Sequence, residues 1–143
     1  MNLSEFKRLC AVEFSFLSEH GFAREEQSFE SPYVIYDRQG MVVEFKWEDF
    51  GYFITASAIR EDLDADRNWI SINSLIKVTA PPFYRPDARG PAEIFGHAAL
   101  IRYYAMGLRQ GLISFLRDQE TIWRQCRLAD EEQAAGELFL SDE

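Results

Sequence analysis

The sequence predicts an α+β fold: an antiparallel sheet of about four strands over residues 33–72, with an N-terminal helix (4–20) and a long C-terminal helix (92–117) packed together on one face. Three observations carry this. Between residues 92 and 117, Ile94, Ala98, Ile101, Ala105, Leu108, Leu112 and Phe115 recur at alternating steps of four and three, which draws one apolar stripe along a helix. From residue 41 to 47, Met41, Val43, Phe45 and Trp47 alternate with Val42, Glu44 and Lys46, the period of a strand with one buried face. The β-rich runs also follow one another at short spacing, which favours an antiparallel meander over crossovers.

Taken in order, Ser4 is an N-cap for the first helix, and Phe6, Leu9, Cys10, Phe14, Phe16 and Leu17 give it a wide apolar face. Its end is signalled by Gly21 at the left-handed C′ position, with Phe22 and Leu17 as the apolar pair of a Schellman motif. Polar residues 23–32 lead to strands Tyr33–Arg38 and Met41–Glu48, joined by a tight Gln39-Gly40 turn. Asp49-Phe50-Gly51 turns the chain into a third strand, Tyr52–Arg60. After an acidic loop, Trp69–Ile72 reads as the fourth, and Asn73 or Ser74 caps a short helix that Ala80-Pro81-Pro82 stops. The long helix opens with Gly90 as N-cap and Pro91 in its first position, and Arg102, Arg109 and Arg117 fall off the stripe toward water. Its Gly107 and Gly111 each cost about 1 kcal/mol relative to alanine, so either they allow close packing against the sheet or the helix bends there. Beyond an Asp118-Gln119 turn, Ile122, Trp123, Cys126 and Leu128 have helical spacing.

The domain is expected to span 1–128. Residues 129–143 form an acidic tail that frays, or that docks Leu138-Phe139-Leu140 on the domain or a partner. A single core is within reach of 143 residues. No apolar run reaches the roughly 18 residues of a membrane span, and the first residues lack a signal-peptide layout. The expectation is a cytoplasmic protein with two buried thiols, Cys10 and Cys126. A net charge of −9 argues against binding the phosphate backbone of nucleic acid and favours a basic partner.

Chemistry-bearing motifs are weak. Asp62, Asp64 and Asp66 alternate as in a calcium loop, but Arg67 stands where that loop needs glycine and Asn73 where it needs the bidentate glutamate, so no metal or cofactor is expected. His20 sits in a helix's last turn, and His97 beside the apolar stripe; neither has a local context that makes Cys10 or Cys126 a nucleophile. Aromatic residues crowd the hairpins, at Tyr33, Tyr36, Trp47, Phe50, Tyr52 and Phe53. Most belong to the core, yet alternation turns some outward, where an aromatic patch ringed by Glu44, Glu48 and Asp49 suits a protein interface.

Phe16-Leu17, Gly21-Phe22, Val34 to Tyr36, Val43 to Phe45, Leu75-Ile76, Ala80-Pro81, Tyr103-Tyr104 and Phe115-Leu116 fall in an order that resembles small bacterial immunity proteins of polymorphic or contact-dependent toxin systems. The match departs at Arg117-Asp118, where such proteins carry Gly-Asp. The resemblance implies a non-enzymatic protein that binds and neutralises one cognate toxin, basic nucleases being among such toxins. The expected contacts are acids on strands or turns, where side chains can present outward: Glu44, Glu48, Asp49, Glu61, Asp62, Asp64 and Asp66. The alternative reading is an acidic secretion chaperone for an exported effector. The oligomeric state stays open.

Overall fold

The computed structural model describes residues 1–141, and the side chains of residues 1–137. Helix α1 (Leu3–Glu13) leads through a 3-10 turn (Ser15–His20) into a sheet of β1 (Ala23–Arg24), β2 (Tyr33–Arg38), β3 (Met41–Glu48), β4 (Phe53–Arg60) and β5 (Trp69–Ser71). Then come α2 (Ile72–Thr79), a 3-10 turn (Pro81–Phe83), α3 (Ala92–Phe95), α4 (His97–Arg117) and α5 (Gln119–Ser141). The strands lie in sequence order and every pair is antiparallel. The fold is therefore α+β, with β1 as a two-residue fifth strand that the polar composition of 23–32 concealed.

Register gives the sheet two unlike faces. Val34 and Tyr36 of β2, Met41, Val43, Phe45 and Trp47 of β3, Ile54, Ala56 and Ala58 of β4 and Ile70 of β5 share the inner face and are buried. Phe14 stacks on Phe45 with ring centroids 3.8 Å apart, and Phe6 tilts against Trp47 at 5.4 Å, which sets the α1 side of the core. Glu44 and Lys46 point to the other face, as the alternation requires. The Gln39-Gly40 turn has positive φ at both residues (52° and 86°), the type I′ geometry that matches strand twist.

Several boundaries differ from expectation for local reasons. The first helix does not run unbroken to residue 20: it ends at Phe14 and tightens into the 3-10 turn. Asn2 rather than Ser4 caps it, its Oδ1 accepting the Glu5 N–H at 2.9 Å. The Schellman pair stands as expected, with the Phe22 N–H donating to the Leu17 carbonyl at 3.2 Å and Gly21 at φ 84°. The long helix starts at His97, because Gly96 (φ 98°) breaks α3 from α4. Ile94 thus leaves the apolar stripe and is 83% exposed, and Pro91, not Gly90, takes the N-cap of α3. Strand β5 stops at Ser71, whose hydroxyl caps α2 by accepting the Ser74 N–H at 3.0 Å. The stretch expected to fray as a tail instead continues α5 to Ser141; Leu138-Phe139-Leu140 lies outside the described side chains.

Helix α4 meets α2 through its two glycines. A Cβ at Gly107 would strike three atoms of Ile76, and one at Gly111 would strike the Thr79 side chain. Close packing is the reason for both residues, and the surface approached is α2, not the sheet.

Candidate functional site

The seven acidic residues expected to contact a partner do not form one patch. Met41 pairs with Arg60 and Glu48 with Phe53, so β3 separates residues 60–66 from Glu48 and Asp49 by seven residue steps, roughly 24 Å. Glu44 lies between them on the outer face, opposite Ile35 and Ser57. Desolvation raises its carboxyl above the ordinary value, and Lys46 partly offsets this.

At the first end the acidic loop is a clasp. Arg60 is an arginine on the inner face of the sheet, 7% exposed, at the end of β4. Its Nε donates to Asp62 Oδ1 at 3.1 Å, and its Nη2 donates to Asp62 Oδ2 and Glu120 Oε1, each at 2.7 Å. The guanidinium also sits 5.6 Å from the Trp123 ring centre. These bonds hold both carboxyls below their ordinary pKa. Asp64 faces Arg67 at 3.6 Å, and the carbonyl of Asp66 accepts Arg127 Nη2 at 3.0 Å. Trp123 Nε1 donates to the Arg67 carbonyl at 3.1 Å. Asp62 is therefore engaged in joining the loop to α5, whereas Glu61, Asp64 and Asp66 remain exposed. Among the described residues no group of three or more His, Cys, Asp or Glu side chains is placed to hold a metal ion.

The second end is built differently. Asp49, Phe50 and Gly51 have φ of 52°, 53° and 88°, three successive left-handed residues, two of them carrying side chains. Such backbone costs about 1–3 kcal/mol per non-glycine residue and persists only where the surroundings impose it. Those surroundings are Trp47, against which a Cβ at Gly51 would collide, and His97, whose Nε2 donates to the Gly51 carbonyl at 2.8 Å while its ring lies 5.4 Å from that of Trp47. The Ala92 N–H donates to the Tyr52 carbonyl at 2.7 Å. The result presents Phe50 wholly to solvent (100% exposed), with Tyr52 half-exposed beside it and stacked edge-on to Phe53. Two further apolar side chains that the sequence pattern does not place at the surface belong to this end. Phe29 precedes β2, and Ile94 lies on α3; they are 84% and 83% exposed. Glu30, Glu48, Asp49 and Glu93 neighbour Phe29, Phe50 and Ile94 along the chain, and Glu48 lies 3.8 Å from Lys46. A lone phenylalanine in the polar run Gln27-Ser28-Phe29-Glu30 was the available signal for the first; Ile94 had none, because it fitted the helical stripe.

Both thiols are fully buried. Burial pushes Cys10 and Cys126 up to about 12. No described helix is long and apolar enough to cross a membrane. Comparison with family models, curated proteins and solved structures finds no match for this chain.

Proposed function

We propose that this is a cytoplasmic immunity protein that neutralises a cognate toxin by binding it, without catalysis, through the end of the sheet that carries Phe50. One observation supports the reading above the others: a fully exposed aromatic side chain on strained, rigidly backed backbone, with Glu48 and Asp49 just before it in the chain. A rigid aromatic anchor loses little conformational entropy on binding, and acidic neighbours speed encounter with a basic partner such as a nuclease. Glu48 and Asp49 stay as contacts in this reading, joined by Tyr52, Phe29 and Ile94. The exposed acids Glu61, Asp64 and Asp66 contribute through the long-range field of a chain at −9.

The test is co-expression with a neighbouring toxin candidate in a sensitive host, together with association rates measured for purified proteins. Survival should require this protein. Reversal of Glu48 and Asp49 to Lys should slow association, most at low salt, because exposed charges are screened beyond a Debye length of about 8–10 Å. Phe50→Gly should weaken binding while leaving stability unchanged or higher, since glycine relaxes the left-handed backbone. Equal survival with and without the protein removes the immunity reading. Recovery of an exported effector from the native host would then favour the secretion-chaperone reading.

A further inference from the structure

A cavity of about 350 Å³ is lined by parts of β4, α4 and α5, within the size range of small-molecule sites. At about 30 Å³ per water it has room for roughly a dozen waters, or for a two-ring organic compound. Ile54, Ala56 and Leu100 give it an apolar lining, and Ala134 and Glu137 form its α5 side.

Two polar groups in this cavity are left without a protein partner. The Tyr104 side chain is 6% exposed, yet its hydroxyl makes no hydrogen bond among the described residues. Asn73 is 8% exposed and is held by one end only. The Tyr103 hydroxyl donates to Asn73 Oδ1 and itself accepts the Arg85 N–H at 3.2 Å, which fixes the orientation of the amide. Asn73 Nδ2, with two N–H donors, then has no acceptor among the described residues. Leaving such groups unpaired inside a protein is costly. Neither is sealed off, because Arg60 Nη1 is the one unpaired side-chain nitrogen or oxygen among the described residues that solvent does not reach. The accessible space beside Tyr104 and Asn73 is the cavity that both line.

Burial, with Tyr103 adding to it, holds the Tyr104 phenol above its ordinary pKa, so it keeps a proton to donate at neutral pH. The charged groups of the wall are already engaged. Asp130 accepts the Ser71 N–H at 3.0 Å and the hydroxyls of Ser71 and Ser74 at 2.7 and 2.6 Å. Arg89 and Glu137 face each other at 3.8 Å. An anion would meet two carboxylates and one engaged guanidinium, whereas an ammonium group would leave both free donors unpaired.

We propose that this cavity binds a small, uncharged, largely apolar molecule that carries a carbonyl acceptor, of the cyclic ketone or lactone class. Its oxygen accepts from the Tyr104 hydroxyl and from Asn73 Nδ2, and its hydrocarbon body lies against Ile54, Ala56 and Leu100. A carbonyl oxygen has two lone pairs, enough for both donors. The inference rests on neither the toxin nor the chaperone reading.

The experiment titrates the whole protein with four compounds that share one two-ring skeleton, followed by NMR. α-Tetralone carries the carbonyl, tetralin lacks it, and the α-ammonium and α-carboxylate derivatives of tetralin present a cation and an anion. α-Tetralone should shift the Tyr104 and Asn73 signals and bind at least about ten-fold more tightly than each of the other three. Tyr104→Phe deletes only the unpaired hydroxyl, so Tm should stay the same or rise, while the preference for α-tetralone over tetralin should shrink about five-fold. Ala134→Trp, a substitution at an exposed position of α5, should fill the cavity and abolish binding with the spectrum otherwise intact. Equal binding of α-tetralone and tetralin would overturn the proposal, as would an unchanged preference in Tyr104→Phe or tighter binding of either charged compound. Absence of α-tetralone binding up to its solubility limit would mean that water alone satisfies these groups, and the proposal falls. A Tm several degrees lower in Tyr104→Phe would place a partner for the hydroxyl within the fold, with the same consequence. None of these readouts involves toxin neutralisation, so the two proposals fail separately.

Discussion

Replacing Gly107 by alanine should destabilise the protein, although alanine is the better helix former. A Cβ built there meets Ile76 Cδ1 and Cγ1 at 2.5 Å and Cγ2 at 2.9 Å, while ordinary carbon–carbon contact needs about 3.5–4.0 Å. Ile76 is 0% exposed, so it cannot swing into solvent; α2 must move away from α4 or the side chain must leave its rotamer. Overpacking of this kind costs about 1–3 kcal/mol, and three contacts below 3.0 Å place Gly107 toward the upper end. Alanine for glycine within a helix offsets about 1 kcal/mol. The net loss is therefore about 1–2 kcal/mol, a fall in Tm of roughly 2–8 °C for a domain of this size. Gly136 on α5 is the control: nothing lies within 4 Å of a Cβ there, so Gly136→Ala should gain up to about 1 kcal/mol. Thermal and urea unfolding followed by circular dichroism would measure both. A Gly107→Ala protein as stable as the parent, or stabilised like Gly136→Ala, would refute the claim that close approach of α2 and α4 requires this glycine.

Asp130→Ala should cost about 2–3 kcal/mol, because it strips one N–H and two hydroxyls of their shared charged acceptor; urea unfolding checks it, and a loss below half of that would show that water replaces the carboxylate freely. Cys10 and Cys126 should resist iodoacetamide at pH 8 until the protein is unfolded. With their folded pKa pushed up to about 12 from 9.0, both thiols stay protonated in the fold while ionising in the unfolded chain; the stability they contribute is complete below pH 9 and is lost between about pH 9 and about pH 12. Asp62 and Glu120 act in the opposite sense. Their lowered folded pKa contributes stability above the ordinary carboxylate range near pH 4 that disappears as pH falls through the folded values, so Asp62→Asn should flatten the acid limb of the stability curve. An unchanged slope would mean that Arg60 gains nothing from Asp62.

Features set by neighbours along the chain are legible in the sequence itself. Alternation of Met41, Val43, Phe45 and Trp47 assigns the buried face of β3, and the Gln39-Gly40 and Gly21-Phe22 signals mark a hairpin and a helix end, because each depends on backbone preferences within a few residues. The helical course of residues 129–141 is not read from the sequence, although Ala, Glu, Gln and Leu favour helix, because the acidity of the stretch points to a tail. What tertiary structure alone decides involves residues far apart in sequence. Arg60 needs Glu120 to become a clasp, Ser71 and Ser74 need Asp130, and Gly107 and Gly111 have meaning only opposite Ile76 and Thr79. Composition counts seven acids as one surface, whereas strand length divides them between two ends and Arg60 engages Asp62. Strand β5 ends at Ser71, whose N–H and hydroxyl both meet Asp130, a residue far along the chain. No local pattern records such a partner: which group a backbone N–H meets depends on which other segment the fold brings beside it.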